Sequence, residues 1–302
     1  MDFVTTEYYL YFLPAAFILS IWLCFGIRKY QISILLLMSY LFFWFASGWH
    51  LILLLISTCV DWTAGKKIAT SDDRSVRIKW LRASLVTNLT LLGVFKYLDF
   101  IIESINWFSL KIPGSPEIET LGLILPVGIS FYTFQTMSYT IDIYRDKNKQ
   151  FDSFLDFACY AAFFPQLVAG PIVRADHFRE QIKAPLKIDS VRFRLGLTLI
   201  IYGIAKKFIV ADNVALHANA VFVEGEHLAN IGLVWWATLC FGIQIYCDFS
   251  AYTDIAIGSA HILGITLPEN FKTPYAATSP QDFWRRWHIS LSSWLRDYLY
   301  IP

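Results

Sequence analysis

Long apolar runs recur along this chain, and they constrain its fold more than any other feature. A backbone lying in hydrocarbon must satisfy its own N–H and C=O groups, which helices do within one segment. Eight runs approach the ~20 residues that cross a bilayer. They lie at 8–27, 32–46, 49–64, 81–105, 121–144, 154–173, 195–216 and 231–255. The second and third nearly meet at Ser47-Gly48 and read as a hairpin. Charged residues make up only 16% of the chain, against roughly 25% in soluble domains. The sequence therefore predicts an all-α fold, a polytopic membrane helical bundle. Its first residues, Met-Asp-Phe-Val-Thr-Thr-Glu, lack the basic region of a cleaved signal peptide, so the first run is expected to stay as a span.

Basic residues set the expected orientation. Loop 65–82 carries Lys66, Lys67, Arg74, Arg77, Lys79 and Arg82 and is expected on the cytoplasmic side, as are Arg28-Lys29 and the group Arg145, Lys147 and Lys149. Loop 106–120, with Lys111 against Glu117 and Glu119, then falls outside. Simple alternation would send Arg174, Arg179, Lys183, Lys187, Arg192 and Arg194 outside as well. The run 154–173 contains Phe163-Phe-Pro-Gln-Leu-Val-Ala-Gly-Pro171, and its two prolines each remove a backbone donor. A re-entrant segment there keeps the basic loop inside and puts 219–230, with Glu224 and Glu226, outside. No repeat or linker divides the chain, so 1–302 reads as a single domain.

The net charge is +1, and no basic field points to nucleic acid. Five cysteines, at 24, 59, 159, 240 and 247, form no CxxC pair and read as small core residues. No metal-ligand spacing, phosphate loop, GxSxG or HExxH motif is present. Ionisable groups inside apolar segments instead mark the candidates. Gln135, Ser138 and Asp142 form a stripe at i, i+3 and i+7, fitting interhelical hydrogen bonds as well as a site. Gln166 sits in the proline-broken run, as pore lining or as part of a simple helix break. Asp248 and Tyr252 share a face of the run ending near Ile265, as do Gln244 and Asp248. Asp248 and Asp254 need partners there, with Arg285 or Arg286 as candidates in a structural ion pair or a site.

From Ser279 onward, a rotation of about 100° per residue sorts one helix into two arcs. Phe283, Trp294, Trp287, Tyr298, Leu291, Trp284, Leu295, His288 and Leu299 lie on one. Arg285, Arg286, Ser290, Ser292, Ser293, Arg296 and Asp297 lie on the other. Ser279 fits the N-cap, Pro280 the first turn, and Asp282 completes a capping box. His288 is thus the one group titrating near neutrality on the apolar face of an amphipathic helix near the C-terminus, as a core histidine or a catalyst.

Several of these stretches resemble the membrane-bound O-acyltransferase family. They are the run from Pro126 to Arg145, Phe164-Pro-Gln-Leu-Val-Ala-Gly-Pro-Ile172, Asp248-Phe-Ser-Ala-Tyr-Thr-Asp-Ile-Ala-Ile-Gly258 and Pro268-Glu-Asn-Phe271. The strongest is Asp282-Phe-Trp-Arg-Arg-Trp-His-Ile-Ser-Leu-Ser-Ser-Trp-Leu-Arg-Asp-Tyr-Leu-Tyr-Ile-Pro302. Within the family the chain looks most like the alginate O-acetyltransferase branch, and next like the branch serving D-alanylation of teichoic acids. The resemblance implies an enzyme with a central tunnel. An acetyl group would pass from acetyl-CoA, a substrate rather than a resident cofactor, toward hydroxyls of a cell-surface polysaccharide such as alginate. It also implies a multi-pass location in the bacterial inner membrane, lipid contacts, and partner proteins on the periplasmic side.

His288 falls on the first of the family's two signature histidines, which makes it the expected catalytic residue. Trp284, Arg285, Arg286, Trp287, Ser290, Asp248, Tyr252, Gln135 and Gln166 are expected to line the tunnel or support it. The second histidine stands in a Trp-His-Gly context, and this sequence has Trp-His only at Trp49-His50 and Trp287-His288. The chain is therefore expected to be an incomplete domain, inactive when isolated. Basic loops 65–82 and 174–194 either draw in coenzyme A phosphates or reflect only the positive-inside bias. A non-enzymatic conduit or scaffold of a polysaccharide-modification complex is the competing class, and the Arg-Arg-Trp-His-Ile-Ser motif speaks against it.

Overall fold

The computed structural model describes residues 3, 5–24, 26–109, 118–167, 170–225 and 230–301. Lys111, Glu117 and Glu226 of the expected outer loops lie outside these. The helices are α1 (Tyr8–Trp22), α2 (Arg28–Ser47), α3 (Leu51–Thr70), α4 (Arg74–Ser109), α5 (Ile129–Arg145), α6 (Phe154–Ala162) and α7 (Phe164–Leu167). There follow α8 (Ala175–Ile182), α9 (Ser190–Ala205), α10 (Asp212–Phe222), α11 (Ile231–Ile262), α12 (Pro280–Arg286) and α13 (Ile289–Leu295). A π-helical segment, Lys206–Ala211, joins α9 to α10. No strand occurs among the described residues. Among the described residues, three helical stretches, Arg28–Thr70, Arg74–Ser109 and Ile231–Ile262, are long and apolar enough to cross a membrane, and α1 is apolar but shorter. The fold divides into two compact units.

One unit comprises 36–167 and 174–179. Phe43, Leu54, Leu92, Ile129, Tyr132, Ala162 and Leu167 form a buried cluster in it. The basic loop expected over 65–82 is only three residues long, 71–73. Ala64, Gly65 and Ile68 are buried, so packing carries α3 two turns past the end of its apolar run. Asp73 then restarts the chain as α4 by accepting from Ser75 N at 2.8 Å. The basic residues of this region therefore sit on the ends of two helices.

The run 121–144 is not helical throughout. Gly122 and Gly128 take φ of 61° and 71°, which side chains avoid. The non-helical stretch before α5 is tied down instead. Asp99 accepts from Leu121 N and Leu123 N, both at 2.9 Å, and Ser47 Oγ from Val127 N at 3.0 Å. The helix in 154–173 breaks at Phe163 (φ −53°, ψ 107°). Pro165 thereby falls in the first turn of α7, where its missing N–H leaves no helix bond unmade. The break expected from the prolines is present.

The other unit comprises 1–35, 168–173 and 180–302. Its axis is α11, against which α9 lies backbone to backbone: a Cβ on Gly196 would fall 2.7 Å from Gly258 O, and one on Gly203 2.8 Å from Ala251 O. Helix association in apolar surroundings relies on such small residues because no solvent drives it. On α1, buried Tyr8 donates to Ser259 Oγ at 2.7 Å. Beyond α11, Gln181 brackets Thr266 with two hydrogen bonds, and Arg192 donates to Gly264 O at 2.7 Å. These bonds fix the chain entering 267–279, which leads to α12 and α13.

Candidate active site

The continuous amphipathic helix expected from Ser279 is two short helices with a break at His288. Its start is as the sequence indicates: Ser279 Oγ accepts from Asp282 N at 3.1 Å, with Pro280 in the first turn. Trp287 N closes α12 on Phe283 O, and His288 then adopts φ 43°, ψ 55°. A left-handed conformation at a non-glycine residue is uncommon and needs external support. Asn270 supplies it. Its backbone carbonyl accepts from Ile289 N at 2.9 Å, and its side-chain Oδ1 accepts from Ser290 Oγ at 2.6 Å and Ser290 N at 3.3 Å. Ser290 Oγ also accepts from Ile172 N at 3.0 Å. On the other side of the break, Lys272 N donates to Arg286 O at 2.9 Å. Asn270 is 1% exposed, and its Nδ2 has no partner among the described residues.

The break turns the two residues at its apex onto α11. Trp287 packs against Phe271 at 5.1 Å, Phe283 at 5.5 Å and Tyr246 at 6.2 Å between ring centres. His288 meets Phe249 edge-on at 4.7 Å and lies over Phe271 at 6.5 Å. The histidine is 8% exposed. Burial holds its imidazole down to about 4, so at neutral pH the ring carries no charge. A neutral imidazole has the free lone pair that a general base requires.

The other expected residues divide. Ser290 stands at the base of this arrangement and Trp287 beside it. Trp284 is 60% exposed and Arg285 is exposed, so both project away from the buried histidine. Among the described residues, Arg285 and Arg286 do not pair with the α11 carboxylates as expected. Arg286 instead holds Asp282 at 2.9 Å, one turn back on its own helix. Asp248 pairs with Lys207 at 2.7 Å, and Asp254 with Lys206 at 2.6 Å. Lys207 also reaches Asp212 at 2.7 Å, and Lys206 lies over the ring of Tyr202. Both lysines lie at the start of the π-helical segment Lys206–Ala211, which packs against α11.

Tyr252 is half-buried on α11, one turn beyond Asp248. Gln135 and Gln166 belong to the other unit, where their side-chain amides share one acceptor: each Nε2 donates to Tyr160 O, at 2.7 and 2.5 Å. Gln135 thereby ties α5 to the broken segment, and Gln166 bridges the break within it. Among the described residues, no group of three or more His, Cys, Asp or Glu side chains is placed to hold a metal ion. Asn270, Phe249 and Phe271 were not singled out by residue type, although all three fall in the stretches resembling the family. Lys206 and Lys207 gave no signal, because which carboxylate a lysine meets depends on helix packing that hydrophobic periodicity does not show.

A family model described as MBOAT, membrane-bound O-acyltransferase family, matches residues 144–302, which include the whole of the His288 arrangement. The chain belongs to the membrane-bound O-acyltransferase family. It is 38% identical over 279 residues to "Probable alginate O-acetylase AlgI" of Pseudomonas syringae pv. tomato, covering 91% of this chain and 52% of that protein. It is 36% identical over 296 residues to "Peptidoglycan O-acetyltransferase" of Helicobacter pylori, covering 89% and 55%. With "Teichoic acid D-alanyltransferase" of Bacillus subtilis the identity is 31% over 183 residues, covering 59% and 46%. The chain thus spans about half the length of the curated relatives it matches. As a family member with three membrane-length apolar helices, it is a membrane protein.

Proposed function

We propose that this chain takes part in O-acyl transfer, with His288 as the general base and acetyl-CoA as the donor. The observation that carries this reading is the uncharged, buried imidazole held at a left-handed break on an aromatic platform, inside the region matched by the family. In the proposed step, a ring nitrogen of His288 accepts the proton of an acceptor hydroxyl as its oxygen attacks the thioester carbonyl. The new C–O ester bond forms, the C–S bond breaks, and the proton passes to the departing coenzyme A thiolate. Positioned acid–base help of this kind contributes ~10²–10⁴-fold. The surrounding rings of Phe249, Phe271 and Trp287 exclude water, which strengthens electrostatic interactions in the site.

The acceptor proposed is a hydroxyl of a cell-surface polysaccharide, on the strength of the relatives named for alginate and peptidoglycan. With it go a multi-pass place in a bacterial inner membrane, a cytoplasmic donor and periplasmic partner proteins. The likeness to a teichoic acid D-alanyltransferase favours D-alanyl transfer as the second reading. The test uses membranes containing the protein expressed from its own locus, supplied with acetyl-labelled coenzyme A or with D-alanine label. Acetyl label appearing in polysaccharide, and lost in His288→Gln at equal protein level, supports the first reading. D-alanine label transferred instead supports the second. Undiminished transfer by the variant removes His288 from the chemistry.

A further inference from the structure

The outward face of α4 carries a groove that the acyl-transfer chemistry does not use. It is lined by Arg74, Ser75, Ile78, Lys79 and Arg82. Ser75, Lys79 and Arg82 stand at i, i+4 and i+7, one stripe of the helix, with Arg74 and Ile78 alongside at the same four-residue step. Long side chains lean toward the N-terminus of their helix, which carries Arg82 back over the turn of Ile78 and Lys79. Three cations thus share one open groove, and no carboxylate lines it.

Many other basic groups are engaged within the protein. Arg77, elsewhere around α4, donates to Tyr144 O and lies over that ring. Lys147 holds Asp72, Lys149 holds Asp176 and Lys183 holds Glu180. Asp73, the acid next to the groove, accepts from Ser75 N. Arg74, Lys79 and Arg82 make no ion pair or hydrogen bond through their side chains among the described residues. Beyond Arg82 the same stripe turns apolar, passing Val86, Leu89, Gly93, Tyr97 and Phe100, and a Cβ on Gly93 would meet nothing. No charged residue occurs between Arg82 and Lys96, a rise of about 20 Å. One leaflet of the hydrocarbon core is about 15 Å deep. Arg82 therefore stands where hydrocarbon gives way to headgroups, while Ser84, Asn88 and Leu92 of α4 are buried.

We propose that this groove holds the phosphate of an anionic phospholipid, with an acyl chain lying along Val86, Leu89 and Gly93. A guanidinium takes two phosphate oxygens at once, lysine adds a point charge, and the Ser75 hydroxyl is a further donor. A zwitterionic lipid would bring its own cation toward Arg74, Lys79 and Arg82, so charge complementarity selects an anionic headgroup. The site is independent of the His288 chemistry.

The test is native mass spectrometry of the full chain in detergent, with equimolar phosphatidylglycerol and phosphatidylcholine of matched acyl chains. Each basic residue near an anionic surface is worth about fivefold in binding. Phosphatidylglycerol should therefore be retained about tenfold over phosphatidylcholine, and Arg74→Gln with Arg82→Gln should abolish that preference. If this double variant does not fold, Lys79→Gln alone must lower phosphatidylglycerol retention about fivefold. Lys183→Gln with Lys272→Gln, which removes two charges already paired with Glu180 and Glu269, should leave the preference unchanged. Coenzyme A and inorganic phosphate, each at the concentration of the lipid, should displace none of it. Equal retention of the two lipids would overturn the proposal, leaving these cations as a topological signal alone. So would displacement by coenzyme A, which would make the groove a donor site, or by phosphate. An equal loss in the Lys183 and Lys272 variant would also overturn it, by showing a response to net charge.

Discussion

The Ser290 hydroxyl donates to Asn270 Oδ1 at 2.6 Å, and that bond closes across the loop whose far end is the left-handed His288. Asn270 therefore holds the histidine by the backbone rather than by touching its ring. Asn270→Ala should destabilise the protein by about 2–3 kcal/mol, since it leaves two buried Ser290 donors without their acceptor. It should also lower kcat for acyl transfer while leaving KM for the thioester within about twofold. Asn270→Asp retains the acceptor and should recover most of both. Thermal midpoints and steady-state rates on the three proteins check this.

His288 substitutions should rank by backbone preference rather than by size. Asn enters the left-handed region far more readily than Gln. His288→Asn should therefore be more stable than His288→Gln by about 0.5–1 kcal/mol, although Gln is closer to histidine in length. Both lack an imidazole and should lose transfer alike. A reversed order of midpoints would mean that ring packing on Phe249 and Phe271 outweighs the backbone term.

Burial fixes the sign of the pH response. The folded imidazole titrates at about 4, against the ordinary 6.5. Between these values the unfolded chain binds the extra proton and the folded chain does not, so stability rises with pH across that window. The His288 contribution should be complete above about pH 6.5 and decline as pH falls toward 4. Wild type minus His288→Asn midpoints, measured from pH 4.5 to 8, should show this slope only in the acid half.

Lys207 joins Asp248 to Asp212, and removing it leaves a partly buried carboxylate without its partner. Fully buried pairs broken on one side lose about 3–5 kcal/mol. Asp212 is only partly buried, so about 1–3 kcal/mol is expected for Lys207→Met. Adding Asp248→Asn should restore part of that loss. A double-mutant cycle by denaturant titration in detergent gives the coupling directly.

What the sequence made legible was set by composition and local chemistry. The apolar runs announced a helical membrane protein, Pro165 announced the break in 154–173, and Ser279-Pro280 announced a helix start. Other features depended on contacts made elsewhere in the fold. The conformation of His288 depends on Asn270, which lies in a different loop, and no pattern between 279 and 300 signals it. Arg285 and Arg286 stood as candidate partners for Asp248 and Asp254, and the fold brings neither to them among the described residues. The true partners, Lys206 and Lys207, lie on the segment between α9 and α10, and hydrophobic periodicity does not show which neighbour that segment faces.

A methyl group added at Gly258 would lie 2.5 Å from Gly196 O. The obstacle is backbone, which cannot swing aside as a side chain does. Gly258→Ala should cost about 2–3 kcal/mol, whereas Gly232→Ala, near the start of α11 and away from the crossing, should fall within about 0.5 kcal/mol of wild type. Unfolding midpoints of the pair check this.

Where α9 and α11 touch at Gly196, Gly203 and Gly258, the nearest atoms across the crossing are backbone carbonyl oxygens, with Ile200, Ile255 and Ile262 packed tightly beside them. Most packed helices slide by small rotamer adjustments at their interface, and the backbone contacts leave this pair little room for them at those three points. It behaves as one stiff strut, with Tyr246 and Phe249 fixed along its length. Whatever opens a path for substrate around His288 must therefore bend elsewhere. The parts free to do so are the short helices α12 and α13 and the loop that carries Asn270.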